Sequence, residues 1–239
     1  TRMIWIETPS NPLLRVCDIA ALSNIATKIN AVTVIDNTVA TPVLQKPFLY
    51  GCDFILHSTT KAISGHSDVL GGVVIARVES QWSERLGIIQ SIGGGVPSPF
   101  DCWLTLRGIR TMPLRVRSAS ETALEVAKFL LVHPMVEACH YPGLSNHPHH
   151  LLASKQMTDG FGALLSFEIV GGQELAIAVT NRLKLIRRAT SLGGIESLIE
   201  HRASIEPPSR GIPRNLLRLS IGLESAKDLI SDLDMALRT

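Results

Sequence analysis

Val32-Thr33-Val34-Ile35-Asp36 and Asp53-Phe54-Ile55-Leu56-His57-Ser58-Thr59-Thr60-Lys61 each run from short apolar segments into polar residues. Such runs read as buried strands that end where the backbone leaves the sheet. Working outward, Met3 to Glu7 and Val73 to Ala76 read as further strands, and Asp18 to Asn30 has helical periodicity. Short strands alternating with helical spacers predict a mostly parallel α/β sheet with helices on its faces. In sheets of this kind ligands gather at the carboxyl ends of the strands. Three polar clusters follow strands directly: Glu7 to Asn11, Asp36 to Thr38, and Ser58 to Lys61. They are expected to converge at one sheet edge.

Further along, Ser91 to Pro99 is rich in Gly and Pro and is expected to link two domains. From Asp101 to Val132 the apolar spacing is helical, with Pro113 expected to kink or divide the helix. Val136 to Tyr141, Ala163 to Ile169 and Leu217 to Ile221 read as strands of a second sheet. Helices are expected near His149 to Met157, Gln173 to Leu183 and Ala226 to Leu237.

The 239 residues allow one large domain or two modest ones. A hydrophobic fraction of 45%, 18% charged residues and a net charge of +2 describe an ordinary globular chain, with no basic excess that would imply nucleic-acid binding. Cys17, Cys52, Cys102 and Cys139 are scattered, so a reduced, intracellular and cytoplasmic protein is the expectation. No apolar stretch approaches the length of a membrane span. A strand starting at Met3 with no cap or leader before it suggests that the sequence begins inside a domain.

The chemistry centres on Lys61. A lysine flanked by hydroxyls, with an acid at the end of an apolar run 25 residues earlier, matches what pyridoxal 5'-phosphate (PLP) requires. The amine forms a Schiff base, hydroxyls hold the phosphate, and a carboxylate keeps the pyridine nitrogen protonated. Asp36 would be costly as a buried anion unless it met a cation, and a pyridinium is one.

Taken together, Glu7-Thr8-Pro9-Ser10-Asn11-Pro12, Asp36-Asn37-Thr38, Ser58-Thr59-Thr60-Lys61, Gly65-His66-Ser67-Asp68, Val96-Pro97-Ser98-Pro99, Tyr141-Pro142-Gly143-Leu144, Ser191-Leu192-Gly193-Gly194 and Leu217-Arg218-Leu219-Ser220-Ile221-Gly222 resemble the Cys/Met-metabolism PLP enzymes. That family includes cystathionine γ-synthase, cystathionine γ-lyase, cystathionine β-lyase and methionine γ-lyase. The resemblance implies an aspartate-aminotransferase-like fold of type I. Residues 1–110 would form the C-terminal part of the large PLP-binding domain and 111–239 the smaller C-terminal α/β domain.

Lys61 would then be the Schiff-base lysine and catalytic base, and Asp36 the partner of the pyridine nitrogen. Ser58 and Thr60 would bind the phosphate, with Asn11 near the phenolic oxygen and Thr38 near the ring. Arg218 would grip the substrate carboxylate, assisted by Ser191. The family's N-terminal portion is absent, so the chain alone is expected to be weakly folded and inactive. The full-length form would be a homotetramer acting on a small sulfur-containing or O-acylated amino acid.

Thr190, just before Ser191, stands where many γ-lyases and γ-synthases carry Glu and the bacterial-type β-lyase carries Tyr. The run from Ser191 to Leu198 still looks most like the γ-synthase and γ-lyase branch. A γ-carbon elimination or replacement of transsulfuration is therefore the first expectation. A β-lyase or methionine γ-lyase-like activity is the second, and a non-catalytic homologue is the reading from another class. Asn146-His147-Pro148-His149-His150 lacks metal-ligand spacing and reads as a loop and helix start, so no metal is expected.

Overall fold

The computed structural model describes residues 1–238. Strands β1 (Met3–Glu7), β2 (Val32–Asp36), β3 (Phe54–Ser58) and β4 (Gly72–Ala76) form one sheet in that order. The first three are parallel and β4 is antiparallel to β3. Helix α1 (Ile19–Lys28) supplies the crossover from β1 to β2, its first turn capped by the Asp18 carboxylate accepting from the Ala21 N–H at 2.9 Å. Apolar residues of alternate parity, Ile6, Ile35 and Ile55, pack with Ile19 and Cys52 on one face of this sheet.

The other face is less covered. Met3 and Trp5 are 52% and 56% exposed, so the reading of β1 as a buried strand is corrected: of its five residues only Ile6 is buried. A hollow of ≈ 350 Å³, lined in part by Trp5, Val34, Phe54, Val74, Trp82 and Leu86, lies between this face and helix α3 (Gln81–Gly93). The sequence reading did not anticipate α3. None of its residues is buried, so it has no sharp apolar stripe to betray it.

Gly94, in the left-handed conformation, ends α3, and Ser98 caps the start of α4 (Pro99–Val132). Helix α4 is not divided at Pro113, and it runs unbroken through position 110. Its first half packs against the turn after β3 and its second half against the second sheet. Beside it, α2 (Thr41–Leu44) is a single turn.

The second sheet is built from β5 (Val136–His140), β6 (Leu164–Ile169), β7 (Arg187–Arg188), β8 (Leu198–His201) and β9 (Leu216–Ser220) in the order β5-β6-β9-β8-β7. All of its pairings are antiparallel except β7 with β8. Strands β7 and β8 were not foreseen: one is two residues long, and the other carries buried Glu200 and His201. Helices α5 (His150–Gln156), α6 (Gly172–Arg182) and α7 (Ala226–Arg238) match the expected positions. The largest core joins Leu165, Phe167, Ile199, Leu217 and Leu219 to apolar residues of α4, α6 and α7. Each such side chain contributes about 1.5 to 3 kcal/mol through burial.

Candidate active site

The carboxyl ends of β1, β2 and β3 bring the three polar clusters to one edge. Glu7 pairs in register with Asp36, and Asp36 with Leu56, so Glu7, Asp36 and the following turns stand side by side. Asp36 Oδ1 accepts from the Thr38 N–H at 3.0 Å, and Thr38 Oγ1 accepts from the Ser58 N–H at 2.9 Å. Thr38 thus ties the end of β2 to the end of β3. Glu7 accepts from the Asn11 N–H at 3.2 Å, and burial, with the Asp36 charge second, raises its pKa.

After β3 the chain makes one wide helical turn, Thr59–Ile63, in which Lys61 departs from helical geometry (φ −89°, ψ −136°). Arg115, buried on α4, fixes this turn from behind. It donates to the carbonyls of Ala62 at 2.9 Å and Gly108 at 2.7 Å, and more weakly to that of Ile63. The Ser58 backbone is used by Thr38, which leaves its hydroxyl available to a ligand. Thr60 differs: its hydroxyl accepts from the Gly71 N–H at 2.9 Å and donates to the Gly71 carbonyl at 3.3 Å. A phosphate contact from Thr60 would require exchanging the longer of these.

The second sheet completes the edge. Lys61 Nζ donates to Ser191 Oγ at 3.2 Å, and the Ser191 carbonyl accepts from Arg218 Nη2 at 2.7 Å. Ser191 has φ +88°, an uncommon conformation for a residue with a side chain, and it is the bend that turns both its groups toward the site. Arg218 Nη1 reaches Asn11 Oδ1 at 3.3 Å. Lys61, Asn11, Ser191 and Arg218 therefore form one connected constellation. Thr190 is exposed on the same loop.

Burial lowers the pKa of Lys61, with the positive charge of Arg218 as the second cause and the Glu200 carboxylate opposing. Arg218 itself is pushed down to about 10, chiefly by burial, with Glu200 again opposing. Glu200 was not singled out from the sequence. It lies opposite Arg218 in the β8–β9 pairing and forms a buried ion pair with it at 2.7 Å. The signal that could have found it is the lone acid in Leu198-Ile199-Glu200-His201, at a spacing that places it on the inner face of a strand. The histidine cluster serves the backbone: His149 Nδ1 accepts from the Val16 N–H, and His150 Nδ1 meets the Pro142 carbonyl.

A parallel sheet edge here presents a half-buried lysine, a strand-end carboxylate, a free hydroxyl, a side-chain amide and an arginine from a second sheet, a set of groups chemically able to bind a carbonyl group and an anion. The chain belongs to the family of Cys/Met metabolism PLP-dependent enzymes, whose family model matches residues 1–238. It is 44% identical over 242 residues to a cystathionine gamma-synthase of Mycobacterium tuberculosis, covering 99% of this chain and 62% of that protein. It is 44% identical over 245 residues to a cystathionine gamma-lyase of Bacillus subtilis, covering 99% and 64%. A solved cystathionine gamma synthase from Xanthomonas oryzae pv. oryzae, in complex with cystathionine, superposes with a TM-score of 0.95 at 47% identity, covering 99% of this chain and 63% of that one. Relatives of comparable similarity carry the names L-methionine gamma-lyase and cystathionine beta-lyase. The chain spans a little under two thirds of the length of these relatives.

The residues present fit PLP. Lys61 offers an amine, Asp36 a carboxylate with one backbone partner, Ser58 an uncommitted hydroxyl and Asn11 a side-chain amide, all at one strand edge. Among the described residues no helix is long and apolar enough to cross a membrane.

Proposed function

We propose that the protein is a PLP-dependent enzyme of sulfur amino acid metabolism that eliminates or replaces a substituent at the γ carbon of its substrate, as in transsulfuration. The observation that carries this reading is the constellation of Lys61, Ser191, Arg218 and Asn11, built from both sheets. Lys61 and Asp36 would hold the cofactor at its aldehyde and ring nitrogen, with Ser58 and Thr60 at the phosphate, Asn11 near the phenolic oxygen and Thr38 near the ring. When bound, PLP supplies the electron sink for charge developing at the substrate Cα.

The rest of the work falls to the chain. Arg218 orients the substrate α-carboxylate through Nη1, the end that faces Asn11, while Ser191 holds the arginine by its carbonyl and the lysine by its hydroxyl. A lowered pKa keeps more of Lys61 neutral near pH 7, so the amine can take the proton from Cα and deliver it elsewhere on the substrate. Thr190 carries no charge to recognise the distal ammonium of cystathionine, which weakens a cystathionine substrate, and β-lyase or methionine γ-lyase-like activity stands as the second reading. The division into 1–110 and 111–239 belongs to the same reading and is supported by the two separate sheets. So does a homo-oligomeric, homotetrameric form, which the exposed Trp103, Leu106 and Leu114 on α4 support as contact surface.

The test is an absorbance spectrum of the protein with added PLP after dialysis, beside Lys61→Ala. A band of lysine-bound cofactor that disappears in the variant is the expected result. A band of the same position and strength in both would sink the assignment of Lys61.

A further inference from the structure

Ser166, Arg218 and Glu200 face one another across three adjacent strands, β6, β9 and β8, in direct register. They form a polar row on a sheet otherwise filled with Leu, Ile and Phe, and their exposures are 0%, 3% and 2%. Ser166 donates to the Pro12 carbonyl at 2.7 Å, next to Asn11. Glu200 Oε1 accepts from Arg218 Nη2 at 2.7 Å and from Arg202 Nη1 at 2.8 Å, and Arg202 also pairs with Glu206.

A guanidinium this deeply buried needs an anion, and a flexible arginine would lose entropy on each ligand binding. Glu200 meets both needs. By holding Nη2 together with the Ser191 carbonyl, it leaves the Nη1 end turned toward Asn11 and the substrate position. Oε1 alone meets the two arginines, and the other oxygen, Oε2, is buried without a partner.

We propose that Glu200 is a positioning residue of the carboxylate site, acting through Arg218 to preorganise it for an α-amino acid. This rests on the reading of Arg218 as the carboxylate-binding group. Glu200 touches no substrate, so its effect depends on whether the ligand carries a carboxylate.

The experiment is calorimetric titration of the PLP-loaded protein with L-norleucine and with pentan-1-amine, the same chain without the carboxylate. Arg218→Met and Glu200→Gln are each expected to weaken norleucine binding by about tenfold or more, with pentan-1-amine unchanged. Glu200→Asp, which keeps the charge but shortens the reach, should show a smaller loss of the same kind. If Arg218→Met loses the preference for norleucine and Glu200→Gln keeps it, the positioning role is overturned while the carboxylate site stands. Were Arg218→Met without effect, both would fall. Equal weakening of the two ligands in Glu200→Gln would also overturn the role, because it signals general damage. Should Glu200→Gln not fold, Glu200→Asp settles the matter: an undiminished preference overturns the proposal, and a carboxylate-dependent loss supports it.

Discussion

Lys61 Nζ and Ser191 Oγ lie 3.2 Å apart although 130 positions separate them in the chain. One belongs to the turn after β3 of the first sheet, the other to the loop entering β8 of the second. The hydrogen bond fixes the amine relative to Arg218, because the Ser191 carbonyl holds that arginine.

Replacing Ser191 by Ala removes the hydroxyl and spares the carbonyl. Exchange of the norleucine α-proton for deuterium, followed by proton NMR, should slow by about tenfold or more, with PLP uptake retained. Ser191→Gly should be as slow and yet no less stable than Ser191→Ala, since glycine adopts φ +88° without strain. A fast Ser191→Ala variant would remove Ser191 from the proton-handling machinery.

Arg218 lowers the pKa of Lys61 in addition to the larger effect of burial. Arg218→Met should therefore raise it, and the uncharged fraction of the amine at a given pH should fall. The pH dependence of Lys61 modification by an amine-selective reagent, read by mass spectrometry, measures this. Its midpoint should move upward. A downward movement would show that desolvation by the new methionine outweighs the lost charge.

At Gly193, φ is +74° and an added Cβ would sit 2.8 Å from the Ala62 backbone nitrogen, beside Lys61. Gly193→Ala must push the Ser191 loop off the Lys61 turn, at a cost of about 1 to 3 kcal/mol. Urea denaturation should register the loss, and the α-proton exchange rate should fall with it. Gly87→Ala meets nothing within 4 Å and serves as the neutral control.

Far from the site, buried Asp232 on α7 accepts from three successive backbone N–H groups, those of Lys184 at 2.9 Å, Leu185 at 2.9 Å and Ile186 at 3.0 Å. Asp232→Asn turns an acceptor-only group into one that also presents donors to donors. A destabilisation of about 1 to 3 kcal/mol is expected in the urea midpoint, with cofactor affinity unchanged. Unchanged stability would mean that the loop finds other acceptors.

The amino-acid order alone settled the strands β1 to β6 and β9, most helices, and the polar clusters after β1, β2 and β3. Short apolar runs and the turns that follow them are local signals, readable within a few residues. The positions of Asp36 and Ser58 at strand ends, and of Lys61 in the turn just after one, were legible for the same reason. What folding in space settled was cross-strand and cross-sheet. The pairing of Glu200 with Arg218 depends on the register of β8 against β9, which no local pattern sets because β8 is four residues long and polar in half of them. The closeness of Lys61 to Ser191, and the hold of Arg115 on the Lys61 turn, arise because α4 and the loops of the second sheet pack against the edge of the first. Helix α3 escaped notice because exposed Ile88, Ile89 and Ile92 give it no single buried face. Periodicity reports which side of an element is buried, and it is silent about which distant element does the burying.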